Sequence, residues 1–501
     1  MSNSELIKII ILAVYLLGML AVGFITFKQN EDFQDYVLGG RKLGKWTTAL
    51  SAQASDMSGW LLVGLPGAAY LLGIEAGWIA IGLGIGTYAN WKILAKRLRI
   101  YTEKAGNALT LPEFFETRFE DHSGFLRLIP AIVIIVFFTV YTAAQFSTGA
   151  KLFEMMLGIP YQKSLVIGAI VIIGYTFLGG FLAVSLTDVI QGMLMFFALL
   201  IVPVFAIIEM GGIDVIKEGA LNIDPNFLSL TKATGSVGAV PILSIITNLA
   251  WGLGYFGQPH ILARFMAISN PDELKDSRRI AIVWVAITLV ASIICGVIGR
   301  LYFVNSPLSD SEQVFMLMAN NMFPAVLAGI FLAAILAASM STADSQLLVT
   351  AASISEDIYN QYINKKATDD QKLKVGRFAV ILIAGLAVGI AFDPNSSVFG
   401  LVSNAWAGLG AAFGPVVLLS VFWKRMNSLG AMAGMVGGAA VVLIWNFLEK
   451  TFVSVELFQL YELLPAFIVA FILIVIVSSI TKEPSKDMLK TFDEVAFTIK
   501  S

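Results

Sequence analysis

The sequence is poor in cysteine, histidine and charge. A single Cys295 in 501 residues excludes an internal disulfide framework and leaves the redox compartment unread. The only histidines are His122 and His260, and no H-E-x-x-H, G-x-S-x-G or Walker A pattern occurs, nor a TVGYG filter. A membrane enzyme, an ATP-driven pump and a potassium-type channel therefore lack their usual residues. Charged residues make up only 14% of the chain and the net charge is -2, so no basic face exists to bind nucleic acid.

What the chain has in abundance is apolar length. It is 57% hydrophobic with a mean hydropathy of +0.81, well outside soluble composition, and the lipid bilayer is its implied surroundings. About thirteen segments are long enough to span: 6–27, 47–72, 74–94, 127–150, 164–182, 188–210, 238–262, 280–303, 323–350, 377–393, 397–422, 428–448 and 458–480. Glu5 stands where a signal peptide would carry basic residues, so Ile7 to Phe27 reads as a retained helix. Alternate loops differ in basic content. Roughly 26 of the 33 Lys and Arg residues, Lys28 among them, fall on one side and about seven on the other. The rich side is assigned to the cytoplasm, which puts the N-terminus outside and the C-terminus inside. The inner loop after Lys96 contains a short helix expected to open at Leu111-Pro112, since proline suits a first turn.

Two of these spans are damaged as helices. The second reads "ALSAQASDMSGWLLVGLPGA" and the seventh "WGLGYFGQPHILARFMA". Breakers and polar groups persist at membrane depth only where protein or a water-lined cavity satisfies the freed backbone. Asp56, at the first break, would cost about 2.5 to 17 kcal/mol if it faced lipid. The two breaks begin about 190 residues apart, and each opens a group of five spans, which is the pattern of an inverted-topology repeat with a site between the halves. Each break alone also fits close helix packing, and Asp56 also fits a purely structural role bonding backbone donors.

The ninth span, "ILAASMSTADSQLLV", crowds Ser339, Ser341, Thr342, Asp344 and Ser345 together. Hydroxyl and carbonyl oxygens without nitrogen or sulfur suit a small hard cation. A site without net protein charge suits a monovalent one. Singly, each hydroxyl could equally bond to its own i-4 carbonyl. Trp251 and Tyr255 are four apart, so on a helix their rings would share a face and wall a small pocket, although plain packing explains the pair too. His122 and His260 read as structural.

Over nearly its whole length, from "YVLGGRKLG" to "AFGPVVLLSVFWKRM" and including "GGFLAVSLTDVIQG", the chain resembles the sodium/solute symporter family and its bacterial proline carriers. The resemblance implies an all-α polytopic membrane protein of LeuT-type fold, two inverted five-helix repeats with flanking helices. On that basis residues 1–46 are an outer helix and inner loop, and 47–210 the first repeat. An extracellular loop follows at 211–237, the second repeat covers 238–423, and 424–501 hold two further helices and a cytoplasmic tail. Sodium would be held by the carbonyls of Ala54, Met57 and Ala338 and the hydroxyls of Ser341 and Thr342. Asp56, Ser58 and Gly59 match sodium- and proline-linked positions, and Tyr141, Trp251, Tyr255 and Pro259 match the proline pocket. Arg41 and Asp188 match coupling positions but could also be ordinary interfacial charges. Asp344 departs from the family pattern.

The implied function is sodium-coupled L-proline uptake across a bacterial cytoplasmic membrane, with no enzyme activity. Sodium is the coupling ion, no other cofactor is expected, and no obligate protein partner. Another small solute carried by the same fold is the alternative, and a membrane enzyme or channel the alternative of a different class.

Overall fold

The computed structural model describes residues 2–27, 33–176, 180–234, 240–452 and 455–500. Lys28, the stretch 177–179 of the expected fifth span and 235–237 of the expected outer loop lie outside them. The described residues are helical without a named strand, and an isolated bridge joins Leu43 to Ile268.

Helix α1 is Asn3–Phe27. The second expected span is three pieces, α2 Lys45–Asp56, α3 Gly59–Leu62 and α4 Gly64–Leu72. Gly73, at φ 67, turns the chain into α5 Gly77–Ala89, which a π-helical stretch at Asn90–Leu94 joins to α6 Ala95–Lys104. Then come α7 Leu111–Arg118, α8 Phe125–Leu157, α9 Tyr161–Thr176 and α10 Phe181–Glu209. Helix α7 opens at Leu111-Pro112 as expected, with Thr110 as N-cap accepting from Glu113 N.

The seventh expected span is α11 Ile242–Leu249, a 3-10 segment Ala250–Gly257 and α12 Pro259–Ala267. The longer helices that follow are α13 Leu274–Tyr302, α14 Ala325–Ala352, α15 Asp369–Ile390, α16 Val398–Phe422, α17 Ser428–Thr451, α18 Leu463–Ile480 and the tail helix α19 Lys486–Lys500.

Ten helical stretches among the described residues are long and apolar enough to cross a membrane, with shorter apolar helices at Tyr161–Gly174 and Ile242–Gly257. Among the described residues the count differs from thirteen at three expected spans. The pieces of 59–104 form one stretch, and the fifth and seventh expected spans are the two short helices.

Burial sorts the helices into layers. In the apolar windows of α14 and α16, 78% and 83% of residues are buried, against 17% for α1 and 28% for α17 and α18. The first two form the centre of the bundle and the last three its lipid-facing rim. The two interrupted spans lie against this centre. The 3-10 segment passes so close to α5 that a Cβ on Gly86 would collide with the Gly252 carbonyl, an approach only small residues permit.

Candidate functional site

The first break is short and sharp. Helix α2 stops at Asp56, Met57 takes φ -78, ψ 67 and Ser58 turns to ψ -170. Two hydroxyls of α14 meet its last turn: Ser341 Oγ donates to Ala54 O at 2.8 Å and also lies 3.1 Å from Ala338 O, and Thr342 Oγ1 reaches Ala54 O at 3.5 Å. Four of the five positions expected to hold sodium are thus brought together as oxygens, and Met57 stands at the break beside them. The donor set is hydroxyl and carbonyl only, which fits a hard monovalent cation.

On the other side of the break, Tyr255 Oη donates to Asp56 Oδ2 at 2.7 Å. Tyr141 on α8 pairs with Ser58 and faces Asp56, and its ring meets that of His260 edge-on at 6.2 Å. The amides freed at the break have protein acceptors. Gly59 N donates to Gln145 Oε1 at 3.2 Å and Trp60 N to Ser58 Oγ at 3.1 Å. Gly59 is close to Thr148, and a Cβ there would stand 2.7 Å from that side chain, so no larger residue fits without movement.

Trp251 and Tyr255 do not share a face. Their segment is 3-10, and at three residues per turn positions four apart diverge by about 120°. Tyr255 packs against Trp406 at 5.0 Å and reaches Asp56. Trp251 instead stacks on Trp60 at 5.3 Å and Tyr461 at 5.0 Å. Pro259 is the first residue of α12, after an extended Gln258. It lines a cavity of about 30 Å³ with Ile134, Met266 and Ala352, on the side of the basic loops.

Arg41 lies away from this centre. Its guanidinium donates to Met266 O at 2.6 Å, Ala108 O at 2.9 Å and Asn107 Oδ1 at 3.0 Å, fastening the loop before α2 to the end of α12. Burial, with Arg99 nearby, brings it down to about 10, so it stays charged near neutrality.

Asp188 and Asp344 belong to a buried cluster whose central member the sequence reading passed over. Arg264, fully buried, donates to Ser345 Oγ at 2.6 Å, Ser51 Oγ at 3.0 Å, His260 O at 3.0 Å and Asp188 Oδ2 at 3.1 Å. Ser51 Oγ also donates to Asp188 at 2.6 Å. Ser345 Oγ lies 2.8 Å from Ser341 O, so the cluster abuts the hydroxyl site. Asp188 Oδ1 and Asp344 Oδ2 have no hydrogen-bond donor among the described residues. No local signal marked it: "PHILARF" places Arg264 just past the expected span 238–262, where an interfacial arginine is ordinary.

Residues 36–438 match the profile described as Sodium:solute symporter family. The chain belongs to the sodium:solute symporter family. It is 47% identical to the sodium/proline symporter of Escherichia coli, over 96% of this chain and 94% of that one. It is 45% identical to the osmoregulated proline transporter OpuE of Bacillus subtilis, over 97% of each. Among solved structures it shares the fold of a sodium-coupled sialic acid symporter, with a TM-score of 0.78 at 21% identity over 96% of this chain and 99% of that one. A nucleobase-cation-symport-1 family transporter in a closed conformation aligns with a TM-score of 0.57 at 14% identity, over 93% and 99%. The protein is therefore a multi-pass membrane transporter rather than an enzyme.

Proposed function

We propose that this symporter couples inward sodium flux to L-proline uptake across a bacterial cytoplasmic membrane by alternating access. The observation that carries the reading is the meeting of Ser341 and Thr342 hydroxyls with the Ala54 carbonyl at the end of a broken helix. Sodium is held there, by the carbonyls of Ala54, Met57 and Ala338 and the two hydroxyls. Proline lies beyond the break, among Asp56, Ser58, Gly59, Tyr141, Trp251, Tyr255 and Pro259. The proline specificity rests on the relatives named above, each about 45% identical over nearly the full chain.

Residues 47–210 and 238–423 are the two inverted repeats of a LeuT-type fold, and thirteen crossings place the N-terminus outside and the tail in the cytoplasm. Arg41, Asp188 and Asp344 serve coupling rather than direct contact with proline. One sodium falling through 100 mV releases about 2.3 kcal/mol, enough for roughly a fortyfold proline gradient at one-to-one coupling.

The shared fold with a sialic acid symporter favours a second reading, the same mechanism with another solute. Radiolabelled proline uptake into proteoliposomes, with and without an inward sodium gradient, separates them. Uptake that needs the gradient and is not displaced by excess sialic acid or other amino acids supports proline. Absence of proline uptake with a sodium-driven flux of another solute transfers the assignment to that solute.

A further inference from the structure

Helices α17 and α18 lie outside both repeats and mostly face lipid, yet the connection between them sends an aromatic side chain inward. Tyr461, 6% exposed, stacks on Trp251 with ring centroids 5.0 Å apart and planes 21° apart. Trp251 stacks in turn on Trp60, at 5.3 Å and 27°, and Phe399 tilts against both indoles at 5.3 and 6.1 Å. Three rings in a row thus join the two interrupted spans to the added hairpin.

Tyr461 is also tied by polar contacts. Its hydroxyl donates to Ser403 O of α16 at 2.7 Å and its amide to Thr247 Oγ1 of α11 at 3.4 Å. Trp251 sits in a 3-10 segment, whose backbone hydrogen bonds have poorer geometry than those of an α-helix. Its place is therefore set by what its ring touches. The stack closes the floor of a cavity of about 840 Å³ that opens on the face away from the basic loops and is lined by Asn248, Trp251, Phe399, Asn404 and Tyr461.

We propose that Tyr461 is a positioning residue for solute binding: it anchors Trp251 as the outer wall of the solute pocket and must let go before solute enters from that cavity. The inference rests on the proline-symport reading, which assigns Trp251 to the pocket. The flanking hairpin is then a working part of the outer gate and not only a filler against lipid.

The experiment compares wild type, Tyr461→Ala, Tyr461→Leu and Tyr461→Phe in proteoliposomes at equal protein content. An aromatic stack is worth about 0.5–1.5 kcal/mol beyond burial, so Ala and Leu should raise the proline KM about three- to tenfold while the half-saturating sodium concentration moves less than twofold. Phe keeps the rings and should restore most of the affinity. A cysteine at Ser339, fully buried beside Gly59 at the break, in a Cys295→Ser background, should react faster with an impermeant maleimide from the cavity side in Tyr461→Leu than in the parent. An unchanged KM in both Ala and Leu overturns the proposal, as does a parallel rise in the sodium requirement, which marks a general loss of fold. If Ala fails to reach the membrane, Leu alone decides. Wild-type vesicles without proline uptake would refute the transport reading itself, and the maleimide rates would still report whether Tyr461 holds the wall shut.

Discussion

Tyr255 Oη and Asp56 Oδ2 are 2.7 Å apart, and this hydrogen bond joins the two interrupted spans directly. A carboxylate so placed can draw a cation into a poorly screened cavity by its field without ligating it. Asp56→Glu, which keeps the charge, should then retain uptake with weakened sodium affinity, while Asp56→Asn should lose most of it. If Asp56 only fixes the break, Asn, of nearly equal volume and with an oxygen still able to accept, should outperform Glu. Tyr255→Phe strips the donor from a buried charge, a loss of about 1.5–3 kcal/mol, and should lower proline uptake about tenfold or more. Initial rates at matched membrane abundance decide between these orders.

At the neighbouring hydroxyls the change is one of ligand chemistry. Thr342→Val keeps the shape and deletes an oxygen whose distance to Ala54 O is 3.5 Å. The sodium concentration for half-maximal uptake should rise at least about tenfold, far more than the proline KM, because a hard cation gains nothing from a methyl group. Thr342→Ser should stay within about threefold. Sodium titrations that superimpose for Val and wild type would remove Thr342 from the ion site.

Both breaks and the hydroxyl cluster that meets Ala54 were legible because each violates what a membrane helix tolerates: Asp56 without a basic neighbour, three glycines and a proline within 252–259, and hydroxyls crowded between Ser339 and Ser345. Three features were not. The divergence of Trp251 from Tyr255 depends on a 3-10 winding that spacing alone cannot distinguish from α. The Tyr461 stack joins residues about 210 positions apart in a turn that carries no local pattern. Arg264 looked like an interfacial charge at the inner end of its span, and only the packing of α2, α10 and α14 around it makes it buried.

The proposed orientation rests on the basic content of the loops. Lys424 and Arg425 precede α17, and Lys482, Lys486 and Lys490 follow α18, so both ends of that hairpin lie on the basic side. A cysteine introduced at Ser485, in a Cys295→Ser background, should resist an impermeant maleimide in intact cells and react once the cells are opened. One at Asn446, on the opposite face, should react without opening. Labelling of Ser485→Cys in sealed cells would reverse the assigned topology.

The buried cluster around Arg264 yields an asymmetric expectation. Arg264 serves Asp188 directly and also feels Asp344, so one cation faces two carboxylates. Asp188→Asn leaves the guanidinium with Asp344 nearby and with Ser51, Ser345 and the His260 carbonyl as acceptors. Arg264→Gln leaves two buried carboxylates with no cation between them. Removing one partner of a buried pair costs about 3–5 kcal/mol when the other charge is stranded, so Arg264→Gln should be the more damaging, with lower membrane abundance and a lower Tm in detergent. The double variant Asp188→Asn with Arg264→Gln strands only one carboxylate, and it should recover stability above Arg264→Gln alone. Transport separates packing from coupling. If the cluster only packs, the double variant should regain uptake in step with its abundance. If it links the hydroxyl site to α12 through Ser345 and Ser341, uptake per molecule should stay low and its dependence on sodium should flatten. A double variant no more stable than Arg264→Gln would show that the pairing is not what holds these helices together.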